Sequence, residues 1–200
     1  MINIDTIEIM GIKGALKGMR NPKNSWERSD SFGNDIGAAD MKLCKALSSA
    51  GTEHRKYMRM IHVQLDITAP LYWWKEFDTY KIGTVANSCS TMHKIHSRKL
   101  ELNDFSHEHL GEDSLNTLEG VITVINRFRD MYTAGGSKYD WWQMIQLLPS
   151  SYNQLRTIDL NYEVLMNIYR QRKNHKLDEW HTFCDWILTL PYMPNFLKEE

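Results

Sequence analysis

The stretch that most constrains this chain runs from Leu148-Pro149 to Trp180, and its centre is Asn161-Tyr-Glu-Val-Leu-Met-Asn-Ile-Tyr-Arg-Gln-Arg172. Asn161 offers the kind of side-chain acceptor that caps a helix, and Glu163 places a carboxylate in the first turn, where the positive end of the helix dipole favours it. A helix beginning there is therefore predicted. At about 100° per residue Val164, Leu165, Ile168 and Tyr169 share one apolar stripe, and Arg172, seven residues after Leu165, falls in the same stripe. The periodicity thus aims a guanidinium at the interior. Burying it alone costs several kcal/mol, so it needs an internal carboxylate, a bound anion or a polar ring as partner. A side chain that snorkels to water meets the same need.

Composition narrows what surrounds that helix. A chain of 200 residues can bury one real core, and 42% apolar content with seven Trp and nine Tyr excludes the disordered class. A formal net charge of −1 supplies no field to attract a nucleic-acid polymer, so any anion site must be a local arrangement of a few residues. Cys44, Cys89 and Cys184 are scattered, which gives neither a disulfide framework nor a Cys-x-x-Cys zinc site and suits a reducing cytoplasm. No apolar run approaches the roughly 18 to 20 residues that span a bilayer, and the first residues lack the pattern of a leader peptide. No linker separates two parts, so a single soluble, cytoplasmic domain over residues 1–200 is expected, with no membrane partner.

The remaining elements follow from periodicity and punctuation. Ile2 to Met10 alternates as a strand ending at Gly11, and Ala15 to Met19 holds a short helix within a turn-rich connection. Asp35 to Ser48 is predicted helical with Ile36, Ala39, Leu43, Ala46 and Leu47 on one side. Tyr57 to Ile67 alternates with its apolar side on odd positions, and Ala69-Pro70 ends that strand before an aromatic helix from Leu71 to Tyr80. Gly83 and the small, hydroxyl-rich Thr84 to Ser90 suggest a loop. Ser114 is the expected cap of a long amphipathic helix to Tyr132, Ala134-Gly135-Gly136 breaks it, and shorter helices follow at Trp141 to Leu147 and Leu177 to Leu190, with Pro191 and Pro194 closing the chain.

Leu148-Pro149, twelve residues to Asn161, then Leu165-Met166-Asn167 and Arg172 resembles the C-terminal nucleotide-binding helix of the flavin-dependent (alternative) thymidylate synthase family, with no gap in the spacing. The following Leu177-Asp178-Glu179-Trp180-His181 keeps the acidic character of that family's next run but not its letters. The resemblance implies an α+β chain with a thymidylate synthase-complementing protein-like fold, a mixed or antiparallel sheet with a helical bundle. It further implies FAD, reductive methylation of dUMP or a related pyrimidine deoxynucleotide at C5 with methylenetetrahydrofolate and a nicotinamide reductant, and a homotetramer with nucleotide sites between subunits. By the same resemblance Asn167 contacts the flavin and Arg172 the nucleotide.

The family's Arg-His-Arg triplet and downstream serine are altered. With Pro70 setting the register the triplet falls on Thr79-Tyr80-Lys81, and Lys75 and Glu76 stand where the family has arginine and glutamine. The serine position falls on Cys89 with Ser88 and Ser90 on either side, so the register is open by one residue, and the family's arginine two residues on is absent. The resemblance implies flavin contacts at Thr79, Tyr80 and Lys81, nucleotide contacts at Glu76 and Cys89, and a catalytic serine at Ser88 or Ser90. Exchanging arginine for Thr79 and Lys81 removes bidentate geometry and leaves one point charge, which weakens or abolishes flavin binding and leaves room for a protein that binds nucleotide or flavin without methylating. Lys138 and Arg156 are candidate replacements for a phosphate-binding arginine near Trp141-Trp142. Tyr72, Trp73 and Trp74 suit either a core or a flat cofactor, and Cys89 either a buried thiol or a nucleophile. His93-x-x-His96 and His107-x-His109 share faces, but no cysteine or carboxylate completes a ligand set, so no metal is expected.

Overall fold

Alternation along two central strands sets the architecture. The computed structural model describes residues 2–197, in which β1 (Asn3–Met10), β2 (His62–Pro70), β3 (Thr84–Ser88) and β4 (Asn153–Asn161) form an antiparallel sheet of order β1-β2-β4-β3. Val63, Leu65, Ile67 and Ala69 of β2 are fully buried, as the odd-position pattern requires. The even positions carry polar cross-strand pairs: Gln64 donates to Asp159 at 3.0 Å, and Thr157 donates to Asp66 at 2.6 Å. Nine helices complete the described chain: α1 (Ile12–Arg20), α2 (Ala38–Ser49), α3 (Leu71–Phe77), α4 (Thr91–Lys94), α5 (Glu112–Thr133), α6 (Lys138–Leu147), α7 (Tyr162–Arg172), α8 (Asp178–Thr189) and α9 (Met193–Leu197). The α+β class is that of the expectation.

Contacts group the chain into two compact units, one built mainly from Ile67–Thr79 and Asn87–Arg156, the other from Ile4–Asp66, Tyr80–Ala86 and the chain from Thr157 onward. In the first, α5 packs on α6 around Leu118, Ile122, Ile125 and Met144 with Ile95, Leu100 and Phe105. Trp73, Trp74 and Phe77 lie in its interior, with ring centroids 4.9 to 5.4 Å apart. In the second, α7 packs against α8, α9 and the 3-10 segment Arg55–Met60, which also carries α1.

Several boundaries move for identifiable reasons. Residues Arg55–Met60 wind into a 3-10 helix, so β2 begins at His62 and not at Tyr57. The helix predicted from Asp35 starts at Ala38, and its buried side is Asp40, Cys44 and Ser48, while Ala39 and Ala46 face solvent. Gly111, not Ser114, precedes α5. Thr84–Ser88 is an edge strand rather than a loop, and β4 was not expected at all. Pro194 stands in the first turn of a final short helix, where its missing N–H costs nothing.

Gly11 is the tightest backbone approach. It holds φ at +92°, and a Cβ there would sit 2.0 Å from the Met60 carbonyl oxygen. Gly11→Ala is therefore expected to lose more than the ~1–2 kcal/mol of the left-handed backbone alone, because a backbone carbonyl must also move. Urea denaturation checks it, with a midpoint equal to that of the unchanged protein as the contrary result.

Candidate functional site

The predicted helix forms as its caps dictate. Asn161 accepts the Val164 N–H at 3.1 Å, and Glu163 is buried against Arg59, whose Nη2 donates to it at 3.1 Å. Gly83 approaches this end: with φ at +75°, a Cβ there would meet Asn161 Nδ2 at 2.8 Å, so the Tyr80–Ala86 segment is packed on the start of α7.

At the other end of α7 lies Arg172. The stripe aimed it inward, but the helix outruns the core and leaves it half-buried. Its Nε donates to the Tyr80 hydroxyl at 2.9 Å, and its guanidinium carbon stands 4.8 Å from the Trp180 ring centroid and 5.7 Å from that of Tyr80. The Tyr80 hydroxyl in turn donates to Gln171 Oε1 at 3.0 Å. Trp180 itself is fully buried, a rigid floor under the cation. The Tyr80 hydroxyl and the Trp180 ring thus help to hold the guanidinium in place, and a held guanidinium is what recognition of a phosphate or carbonyl edge needs. Asn167 is half-buried one turn before Gln171, and Lys81 is exposed beside Tyr80. Tyr80, Lys81, Asn167 and Arg172 fall in one unit; of these the structure joins Tyr80 to Arg172 directly, while Asn167 shares their helix and Lys81 follows Tyr80 in the chain. Gln171 is a member that sequence reading missed; its place one turn after Asn167 was the available signal.

The other predicted residues belong to the first unit. Thr79 Oγ1 donates to the Glu76 carbonyl at 2.8 Å and closes α3, a capping role. Glu76 is half-buried on α3. Ser88 is exposed on edge strand β3, and Ser90 caps α4 by accepting the His93 N–H at 3.0 Å. Cys89 is exposed, its backbone held by Leu155 and Gln154 at 2.9 and 2.7 Å.

Two alternatives resolve toward structure. Arg156 donates to Asp78 at 2.7 Å and to Gln154 at 3.0 Å, with its guanidinium carbon 4.3 Å from the Trp74 ring centroid, so it is engaged as an internal strut. Trp73 and Trp74 are core residues, and Trp74 Nε1 donates to the Gln154 carbonyl at 2.9 Å. His96 packs edge-on against Tyr132 at 5.1 Å. Among the described residues no group of three His, Cys, Asp or Glu is placed to hold a metal, and no helix is long and apolar enough to cross a membrane.

The cysteines differ sharply. Burial, with Asp40 nearby, pushes the Cys44 thiol up to about 12, and burial with Asp185 pushes Cys184 up to about 11. Cys89 is in solvent. A thiol reagent at pH 8 should therefore modify one cysteine of the folded protein rapidly and all three after unfolding, read by mass spectrometry. Equal labelling of Cys44 and Cys89 in the folded state would contradict this.

Clefts elsewhere include one of about 540 Å³ lined by Gly18, Asn21, Glu53, His54, Lys56 and Met60 among others, and one of about 500 Å³ beside Tyr169, Lys173, His175 and His181.

No family model matches the sequence, and no curated protein matches it. Solved structures do. The chain is similar to thymidylate synthase X (ThyX) from Helicobacter pylori with FAD and dUMP, at TM-score 0.76 and 15% identity over 100% of this chain and 98% of that one. It is similar to a second structure of the flavin-dependent thymidylate synthase ThyX from Helicobacter pylori, complexed with FAD and dUMP, at TM-score 0.74 and 17% identity over 98% of both chains. A UMP/dUMP methylase, PolB from Streptomyces cacaoi bound with 5-Br dUMP, aligns at TM-score 0.69 and 12% identity over 98% of this chain and 94% of that one. The chain has the fold of the flavin-dependent thymidylate synthases, at a sequence distance that makes it a divergent example of that fold.

Proposed function

We propose that this protein is a flavin-dependent methyltransferase of the thymidylate synthase type, acting in the cytoplasm as a homotetramer on dUMP or a related pyrimidine deoxynucleotide. The observation that carries the reading is Arg172, held by the Tyr80 hydroxyl and the Trp180 face on a helix whose spacing resembles the nucleotide-binding helix of that family. Full-length likeness to complexes that contain FAD and dUMP supports it.

The residues of this chain fit FAD in part. Lys81 and Asn167 present a cation and an amide with no competing side-chain bond among the described residues, whereas Tyr80 and Thr79 are engaged within the protein. Lys81 and Asn167 would therefore hold the flavin, which when bound supplies the hydride for reducing the methylene group donated by methylenetetrahydrofolate. A nicotinamide nucleotide is the proposed reductant. Arg172 would bind the nucleotide, its fork matching an oxygen pair. We assign Ser88 or Ser90 as the hydroxyl lining the nucleotide and Cys89 and Glu76 as further nucleotide contacts, on the family spacing.

A second reading keeps the binding and omits the methyl transfer, and the internal engagement of Thr79 and Tyr80 favours it. Expression in a thymidine-requiring bacterial strain separates the two. Growth without thymidine is expected; a flavin-bearing protein that fails to rescue growth would sink the methyltransferase reading and leave the binding one.

A further inference from the structure

α1 has a second use. Lys13, Leu16, Lys17 and Arg20 recur at helical spacing on one of its faces, and they line a cleft of about 360 Å³ together with Trp26 and Phe32. The size lies within the range of small-molecule sites, roughly 300–1,000 Å³. None of its lining residues belongs to the Arg172 cluster.

Its walls are built. Arg20 is 5% exposed, and its Nε donates to Asp40 at 2.5 Å and its Nη1 to the Ser25 carbonyl at 3.2 Å. Its Nη2 has no hydrogen-bond partner among the described residues, and the side chain lines the cleft. Asp40 is fully buried and also accepts from Ser29 and Ser31, each at 2.6 Å, while Asp30 accepts the Ala39 N–H at 2.8 Å. These bonds tie the segment that follows α1 to the start of α2. Trp26 Nε1 donates to Asn21 Oδ1 at 2.8 Å, which fixes the indole, although the residue is 48% exposed. Phe32 is 88% exposed yet held in a two-bond bridge with Asp35, at 3.0 and 2.9 Å.

Exposed rings at the mouth of one cleft form an apolar patch of the kind that marks a binding site, and the Arg20 Nη2 protons remain for an acceptor placed in that cleft. No acidic residue lines the cleft, and Lys13 and Lys17 are in no ion pair among the described residues. With Asp40 offsetting Arg20, the two lysines leave a double positive charge, which a phosphate monoester at neutral pH matches and a carboxylate only half matches. We infer that this cleft binds a small phosphate monoester carrying a flat ring, its phosphate on Lys13, Lys17 and Arg20 Nη2 and its ring against Trp26 and Phe32.

Isothermal titration of the full chain tests this, with adenosine 5′-monophosphate and phenyl phosphate as the two ring-bearing probes and adenosine and inorganic phosphate as controls. One or both ring-bearing esters should bind saturably, at least tenfold tighter than either control, and the tighter of them identifies a nucleotide or a simpler aryl source. The doubly substituted Lys13→Ala/Lys17→Ala protein, both positions exposed and outside the core, should bind at least tenfold more weakly, and Trp26→Ala at least fivefold. Arg172→Ala should leave this binding unchanged. Absence of saturable binding, binding indifferent to the two lysines, or binding lost in Arg172→Ala would each overturn the inference.

Discussion

Arg172→Ala should weaken dUMP binding by about 10- to 100-fold, the range given by losing hydrogen bonds to a charged group, about 1.5–3 kcal/mol. The loss should be specific, since Arg172 lies at the half-buried end of α7 and its removal leaves the core beneath it intact. Arg172→Lys should recover little: an ammonium keeps the charge but has neither the Nε that Tyr80 accepts nor a plane to lie over Trp180. Tyr80→Phe retains the ring and deletes only the oxygen, so a several-fold loss there, with an unchanged melting temperature, would assign Tyr80 a positioning role. Titration calorimetry with dUMP checks all three; an Arg172→Ala protein of unaltered affinity would remove that residue from the site.

The largest stability effect is expected at Asp40. Asp40→Ala leaves Arg20 buried without its carboxylate and strands the Ser29 and Ser31 hydroxyls, a loss of about 3–5 kcal/mol on the scale of broken buried ion pairs. Its carboxyl also gives a pH dependence of known sign. Burial alone would raise it, but the Ser29 and Ser31 hydroxyls and Arg20 together outweigh burial and hold it below the usual carboxylate range. A depressed carboxyl stabilises the fold fully above its unfolded value, about 3.9, and that stabilisation is lost as pH falls through the folded value. Denaturant midpoints measured from pH 7 down to pH 3 should therefore fall in the wild type more steeply than in Asp40→Asn. Parallel pH profiles would contradict the assignment.

How legible all this was depended on which side chains carry the burial. The odd positions of β2 and the cap at Asn161 were readable because apolar alternation and capping are local signals. The strand β4 was missed because Gln154, Ile158 and Leu160 form its buried side, with a polar residue where the alternation needed an apolar one. The orientation of α2 misled for the same reason: Asp40, Cys44 and Ser48 face inward, and no hydrophobic stripe marks a buried carboxylate whose partner is Arg20. β3 has the opposite difficulty, an edge strand so exposed that its composition resembles a loop. At Arg172 the periodicity gave the face correctly but not the depth, and the partner, a phenol from Tyr80, lies 92 residues away in sequence. Tyr80 entered the reading only through the family spacing, as a flavin contact; its bond to Arg172 is a tertiary fact that no local pattern encodes.

The central claim is that a chain without the arginine triplet still binds flavin on this fold. The visible absorption spectrum of the purified protein, after incubation with FAD and removal of the unbound fraction, tests it most directly. Flavin bands near stoichiometric occupancy, weakened in a Lys81→Ala/Asn167→Ala protein that keeps its fold, are the predicted result; a colourless protein that takes up no FAD would contradict it.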